Sequence, residues 1–453
     1  MEIIKINTTI KFNNELFIMP TLIDEKFNLI IPVFEYSLYL HNIDKSESTI
    51  KNFVKAAELL YLYINVSKNN YDDLQKLFES FVQILYSGTI DENLEDPLLL
   101  YWFPLSRNVA NIYLQSLNGF GDWIVEKYGF DQLNPIKKII NNNDIRKIAA
   151  LFHYNKNSFL GHLKHPNHDL NNLAARAIMG KPNILTMNTN VIEFPDEKFN
   201  QLLMDGIGKS KNLNVKLRDT LILLLLHGAG LRESEALHLW IHDVKIVEEN
   251  INNNIIDQSK IVAKIKIFHP EEGRAPNGWK SVDGFTTRKH YLREKYNLKP
   301  RNTLHGKDRI GFKTRAFRNK GNYFDIYFFP WFYGEMFAEI WRQYLIARAN
   351  IEDTHPYAFV NFDEGNLGKP YKISTFNNNY RKYLKRIGLN QSYEEGYCPH
   401  AHRHSYAKRL RRYNIDNETI RITMHHSSLL SQEMYTQPTS NEITKILNDL
   451  SKE

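Results

Sequence analysis

The stretch "LRDTLILLLLHGAG", residues 217–230, runs through six consecutive apolar side chains from Leu221 to Leu226. Six helical residues rise only about 9 Å, far short of the ~30 Å needed to cross a bilayer core. A helix that is apolar all round must instead be covered by protein on every side. The run therefore predicts a globular domain with a deep core built around a central helix. The glycines that end it can take left-handed dihedral angles and turn the chain. With 453 residues, 42% hydrophobic and 13% aromatic, the chain can supply two or three such domains and does not read as disordered.

Local patterns predict an α+β protein, mainly α with a small β-sheet. Residues 1–32 form an N-terminal extension whose alternation, as in "IIKINTTIKF", suits short strands. From 33 to 185 the pattern is helical. "SESTIKNFVKAAELLYLYI" (46–64) and "SRNVANIYLQSLNGFGDWIVEKYG" (106–129) both open on a capping serine and continue at helical spacing. "GKPNILTMNTNVIEFP" (180–195) has few helix formers and reads as a linker, so a second domain starts near 186. There, "IVAKIKIFHP" (261–270) and "FDIYFFP" (324–330) suit strands, while 331–349 and 373–389 read as helices. The end of the chain carries Ile443, Ile446, Leu447 and Leu450 at i, i+3, i+4, i+7, a short amphipathic helix.

Charge and cysteine usage narrow the function classes. The formal net charge is +7, but residues 269–320 hold 14 Lys/Arg against five Asp/Glu. A basic block in an otherwise near-neutral chain reads either as a polyanion-binding surface or as a solvated loop. Exposed cations such as Arg288, Lys289 and Arg293 would form that surface. The single cysteine, Cys398, excludes an intramolecular disulfide and a cysteine-built zinc site, and suggests a reducing, intracellular compartment. The N-terminus lacks a basic segment followed by an apolar one, so no signal peptide is expected.

The run "CPHAHRHSYAKRL" (398–410) crowds three histidines and an arginine behind a proline. Pro399 suits the first turn of a helix, which places His400 and Arg403 on one face and His402 on another. A metal site wants neutral imidazoles and usually a carboxylate, and a permanently charged guanidinium does not belong in one. The same guanidinium suits a phosphate, to which its planar fork donates two hydrogen bonds. A second arginine, Arg232, follows a glycine break in "HGAGLRESEAL", and "MHHSSLLSQEMYT" supplies His426 and, nine residues later, Tyr435.

Together these stretches resemble the tyrosine recombinase (phage integrase) family. "GAGLRESEALHLWIHDV" is similar to its first box, T-G-L-R-x-S-E-L-x-x-L. "PHAHRHSYA" is similar to its second, H-x-L-R-H-S/T-x-A, and "MHHSSLLSQEMYT" to its terminal box with the expected step from histidine to tyrosine. The sequence departs where the usual leucine is His402, where the usual glycine is His425, and in the 171-residue gap between Arg232 and Arg403, which the basic block lengthens.

The resemblance implies a helical core-binding, DNA-clamping domain (33–185), a catalytic domain (186–436) with a basic insertion (269–320), and a C-terminal docking helix (437–453). It implies a DNA recombinase or integrase of a mobile element in the cytoplasm of a prokaryote, at the nucleoid. Tyr435 would be the nucleophile, Arg232 and Arg403 would hold the phosphate, His400 would accept a proton, and His426 would donate a hydrogen bond. A lysine, Lys313 in preference to Lys307 or Lys280, would protonate the leaving oxygen. Glu235 and Asp243 read as structural. No cofactor or metal is called for. Partners would be double-stranded DNA, three further copies in a tetramer, and accessory proteins of the element. A catalytically dead DNA-binding relative and a type IB topoisomerase-like relaxing enzyme stay open as alternatives.

Overall fold

The computed structural model describes residues 3–426 apart from 13–14, 44, 68–70, 72, 139–173, 183–191, 254–255, 277, 305, 315–316, 318 and 353. Most of the 180–195 stretch, Tyr435 and the C-terminal stripe thus lie outside the described residues. The chain divides into two compact units, Met1–Leu185 and Thr186–Glu453.

The first unit opens with a hairpin, β1 (Ile3–Phe12) against β2 (Glu15–Asp24), antiparallel in the register Ile3↔Asp24. Phe17, Met19 and Leu22 of β2 share a core with α1 (Ile31–Asn42) and α2 (Glu47–Ser67). A second cluster joins α2, α3 (Leu74–Ser87) and α4 (Arg107–Tyr128) through Leu60, Phe78, Phe81 and Leu114. The α4 ends follow the sequence: Ser106 accepts from the Val109 N–H, and Gly129 closes the helix in the left-handed region. A short pair, β3 (Ile136–Lys138) and β4 (Ala174–Arg176), completes the described part.

The second unit is built around the apolar run. α5 (Asp196–Gln201) leads into a wider π turn, Leu202–Ile207. α6 (Leu213–Leu223) does the same over Leu224–Gly228. Every side chain from Leu221 to Leu226 is fully buried. α7 (Glu233–Ala236) follows, then the antiparallel sheet β5 (Val244–Asn253), β6 (Ile256–Phe268) and β7 (Tyr323–Asp325). α8 (Arg288–Tyr296) lies between β6 and β7. α9 (Phe332–Ala349), α10 (Ile373–Arg386), α11 (Pro399–Arg412) and α12 (Asn417–Thr423) come after it. The core joins α6 to Trp341 of α9, Phe376 and Tyr380 of α10, and Ile265 and Ile267 of β6. This is the α+β class expected. Among the described residues no helix is long and apolar enough to cross a membrane.

The basic stretch 269–320 is not a solvated loop throughout. Ala275, Tyr291 and Leu292 form a side core with Trp240 and Tyr357. Arg288, expected at the surface, is only 2% exposed. Its guanidinium lies 4.0 Å from the Trp240 ring centre and 4.2 Å from that of Phe268, and it is paired to Asp243. Arg301 is buried too and donates to the Leu237 and Tyr371 carbonyls at 3.2 and 2.6 Å. Aromatic faces and carbonyls from distant segments take in two cations that the local sequence marks as surface.

Candidate active site

Three segments of the second unit converge on one polar cluster. The first is the turn after the buried helix. Gly230 has a φ of +67°, and a Cβ there would meet the Tyr406 ring at 2.4 Å, so both backbone and space require glycine. That turn sets Arg232 at the N-cap of α7. Its N–H donates to Glu235 Oε2 at 2.8 Å, and its Nη1 donates to Glu235 Oε1 at 2.6 Å and to Thr314 Oγ1 at 3.0 Å. The arginine side chain remains 23% exposed, whereas Glu235 is fully buried.

The second segment is the first turn of α11, with Pro399 at its start. Arg403 is buried. It donates from Nη1 to the Gly230 carbonyl at 2.5 Å and from Nη2 to the Met424 carbonyl, and it lies 4.0 Å from Glu235. Its Nη2 also donates to His426 Nε2 at 2.9 Å. An arginine only donates, so His426 carries its own proton on Nδ1. His400, one turn before Arg403, is open to solvent, and its ring meets that of His404 edge-on at 4.6 Å.

The third segment follows α12. His425 sits at φ +56°, the left-handed region that favours glycine. Its ring stacks on Phe324 with centroids 3.6 Å apart, which offsets the backbone cost. The family pattern places glycine here, and the dihedral angle is the physical reason.

The electrostatics are lopsided. Burial alone would raise the pKa of Glu235, but Arg232 and Arg403 hold it down to about 2. One carboxylate thus faces two guanidiniums. Burial, and then the charges of Arg403 and Arg232, push His426 down to about 3. Loss of hydration through partial burial, and then the charges of Arg403, Arg232 and Lys313, push His400 down to about 4. At neutral pH the histidines are uncharged hydrogen-bonding groups, and the cluster carries a net positive charge. Such a site stabilises an anion with several oxygens.

Of the sequence candidates, Arg232, Arg403 and His426 are in one bonded cluster with His400 on its rim. Lys313 is exposed and is among the charges that act on His400. Lys280 and Lys307 are exposed in separate turns of the basic stretch, and Lys307 belongs to the short turn Gly306–Asp308. Tyr435 lies outside the described residues. His402 points into the core, as its helical position requires, with Nδ1 at 3.0 Å from His227 Nδ1 and Nε2 at 3.0 Å from the Tyr380 hydroxyl. Asp243 accepts from the Trp240 N–H at 2.9 Å and pairs with Arg288. Sequence reasoning missed Thr314, whose partner Arg232 lies 82 positions away. No local pattern signals such a contact.

Residues 332–442 match the model of the phage integrase family. Over 448 residues the chain is 21% identical to transposase A of transposon Tn554 from Staphylococcus aureus, covering 97% of each protein. It is 26% identical over 248 residues to the tyrosine recombinase XerA of Pyrococcus horikoshii, covering 54% of this chain and 59% of that protein. Among solved structures, the XerH site-specific recombinase bound to its difH substrate is similar at 16% identity, with a TM-score of 0.47 over 89% of this chain and 79% of that one. Residues 332–442, which hold the second and terminal boxes, thus carry the phage integrase domain found in tyrosine recombinases.

Proposed function

We propose that the protein is a site-specific recombinase of a transposon, which cuts and rejoins double-stranded DNA through a 3′-phosphotyrosyl intermediate. The observation that carries this reading is the cluster of Arg232, Arg403 and His426 around a single buried carboxylate, which leaves positive charge for a phosphate. End-to-end similarity to a transposase supports the kind of element served.

In this reading the Tyr435 oxygen attacks a backbone phosphorus. A P–O bond to tyrosine forms, the bond to the 5′ oxygen breaks, and the chain's 3′ phosphate stays on the enzyme. The phenolic proton passes to His400 and a proton from the Lys313 ammonium goes to the departing 5′ oxygen. Arg232 and Arg403 hold the non-bridging oxygens, and the His426 Nδ1–H donates a further bond. The bound phosphodiester offsets the Arg403, Arg232 and Lys313 charges that add to the effect of burial on His400. The phosphotyrosyl bond conserves the energy of the broken phosphodiester, so rejoining needs no nucleotide. The unit Met1–Leu185 acts as the core-binding clamp on the duplex, and the tail 437–453 docks on a neighbouring copy within a tetramer on DNA.

The test is covalent trapping. DNA recovered with the Tyr435→Phe protein is sequenced to find the site, and a nicked suicide duplex carrying that site is offered to native protein. A covalent adduct at a tyrosine that disappears in Tyr435→Phe, with duplex binding retained within a few-fold, is expected. An adduct that survives in Tyr435→Phe assigns the nucleophile elsewhere, and relaxation of arbitrary supercoiled plasmid without site preference makes the enzyme a relaxing enzyme.

A further inference from the structure

The segment 309–314, "RIGFKT", alternates inside and outside. Ile310 is fully buried, Phe312 packs on the core and Thr314 is 4% exposed, while Gly311 and Lys313 face solvent. Both ends of this short run are tied down. At Ile310 the N–H donates to the Arg301 carbonyl at 2.9 Å, and the carbonyl lies 2.9 Å from His238 Nε2. His238 is buried and held near a pKa of about 3, by burial first and then by Arg301, so it is a neutral donor to that carbonyl. At Thr314 the hydroxyl does two things at once. It accepts from Arg232 Nη1 at 3.0 Å and donates to Glu235 Oε1.

We propose that Thr314 is the positioning residue for Lys313: its hydroxyl fastens the lysine-bearing segment to the Arg232–Glu235 pair and sets the ammonium beside the oxygen that leaves phosphorus. The proposal rests on the phosphotyrosyl reading and deepens it. The bond to Glu235 is charge-assisted, because that carboxylate stays ionised between two guanidiniums. A lysine side chain is long and flexible, so a fixed Cα one residue from the phosphate cradle narrows where the ammonium can reach. The same contact couples the two halves of the reaction. The arginine that holds the phosphate is bonded to the residue that places the acid.

Sulfur in place of the bridging 5′ oxygen separates this role from simple support of Arg232. A thiolate leaves without needing a proton, so a 5′-phosphorothiolate substrate bypasses the general acid while still requiring both arginines and Tyr435. Adduct formation is measured on ordinary and phosphorothiolate suicide duplexes for native protein, Thr314→Val, Thr314→Ser and Lys313→Ala. Thr314→Val should form adduct at least about tenfold more slowly on ordinary DNA, within the range that general acids contribute, and at the native rate on the sulfur substrate. Lys313→Ala should show the same selective rescue, and Thr314→Ser should remain near native on both. The readout is the ratio of two rates in one protein, so a partly folded preparation lowers both and leaves the ratio intact. If Thr314→Val is slow on both substrates, the hydroxyl serves Arg232 and the proposal fails. If it is native on ordinary DNA, or if Lys313→Ala is not rescued by sulfur, the proposal also fails. Absence of any adduct from native protein on either duplex overturns the phosphotyrosyl reading itself.

Discussion

α11 carries two polar clusters on different faces, and they are finished differently. On one face Arg403, with Arg232 and Glu235, leaves two guanidiniums against one carboxylate. On the other face the groups form a closed relay. Arg409 donates to His227 Nε2 at 2.7 Å and to Asp196 at 2.6 Å. That fixes the His227 proton on Nδ1, which donates to His402 Nδ1. The His402 proton is then on Nε2 and donates to the Tyr380 hydroxyl, each step at 3.0 Å. Burial first, and then the nearby cations, keep both imidazoles neutral, with His227 near a pKa of about 4 and His402 well below its usual value. The relay turns its imidazoles on one another and holds α11 against the π turn Leu224–Gly228 and the start of α5. The cradle is left electrostatically incomplete, and that incompleteness is what a phosphate would fill.

The largest effect expected from breaking this contrast is at Arg403. Arg403→Ala should slow adduct formation by at least about 10²–10³-fold, the usual loss for one donor to a developing oxyanion. It should also cost about 1–3 kcal/mol of stability, because the Gly230 and Met424 carbonyls lose a buried donor. Single-turnover adduct formation alongside denaturant unfolding would show both. Cleavage within tenfold of native would remove Arg403 from the cradle.

Arg288 is the control for burial without an open cradle. Its partner Asp243 is buried and bonded to the Trp240 N–H. Arg288→Leu leaves that carboxylate unpaired and should destabilise the protein by about 3–5 kcal/mol. Adding Asp243→Asn should recover much of the loss, since no charge is then stranded. Unfolding curves for the single and double variants test it, and an unchanged midpoint in Arg288→Leu would mean that the pair contributes nothing to the fold.

What the sequence made legible follows the range of each contact. The buried run 221–226, the Ser106 cap and the Pro399 helix start depend on neighbours within a few residues, and each was readable. The three boxes were readable because their internal spacing is local. β5 was not: "VKIVEENINN" is rich in asparagine and glutamate, and it becomes a strand by pairing with β6 from Val244↔Ile265 onward. Of "FDIYFFP" only Phe324 and Asp325 fall in a strand, Tyr323–Asp325. Thr314 and Arg288 were invisible for the same reason, since their partners are 79 and 45 positions away.

The relay should yield a smaller effect with a pH signature. His402 has its folded pKa depressed below the unfolded value of about 6.5. The unfolded chain therefore binds more protons below that pH, and stability is lost as pH falls from about 6.5. The slope for one such histidine is about 1.4 kcal/mol per pH unit. His402→Leu, which restores the family's usual residue, should cost about 1–3 kcal/mol at pH 7.5 by orphaning His227 Nδ1–H, yet lose less stability on going to pH 5. Adduct formation by the folded fraction should change little. Parallel acid sensitivity in native and variant proteins would mean that His402 is not the titrating member of the relay.

The smallest effect belongs to the cations that do remain outside in the basic stretch. Lys289 and Arg293 have side chains 42% and 63% exposed, with carboxylate partners Glu272 and Glu294 that are themselves accessible. Surface pairs of this kind contribute about 0–1 kcal/mol, so Lys289→Gln and Arg293→Gln should leave the unfolding midpoint almost unchanged. If these side chains lie along a DNA backbone, each lost contact should weaken binding to every sequence alike. It should also flatten the log–log dependence of affinity on salt by about 0.9. Titrations of the two variants at several salt concentrations, on specific and unrelated duplexes, would separate the possibilities. A flattened slope assigns α8 to DNA, with Arg288 as its buried root and Arg293 as its contact. An unchanged slope with unchanged stability makes the outer face of α8 plain solvated surface, and confines the functional charge of the basic stretch to the segment that ends at Lys313 and Thr314.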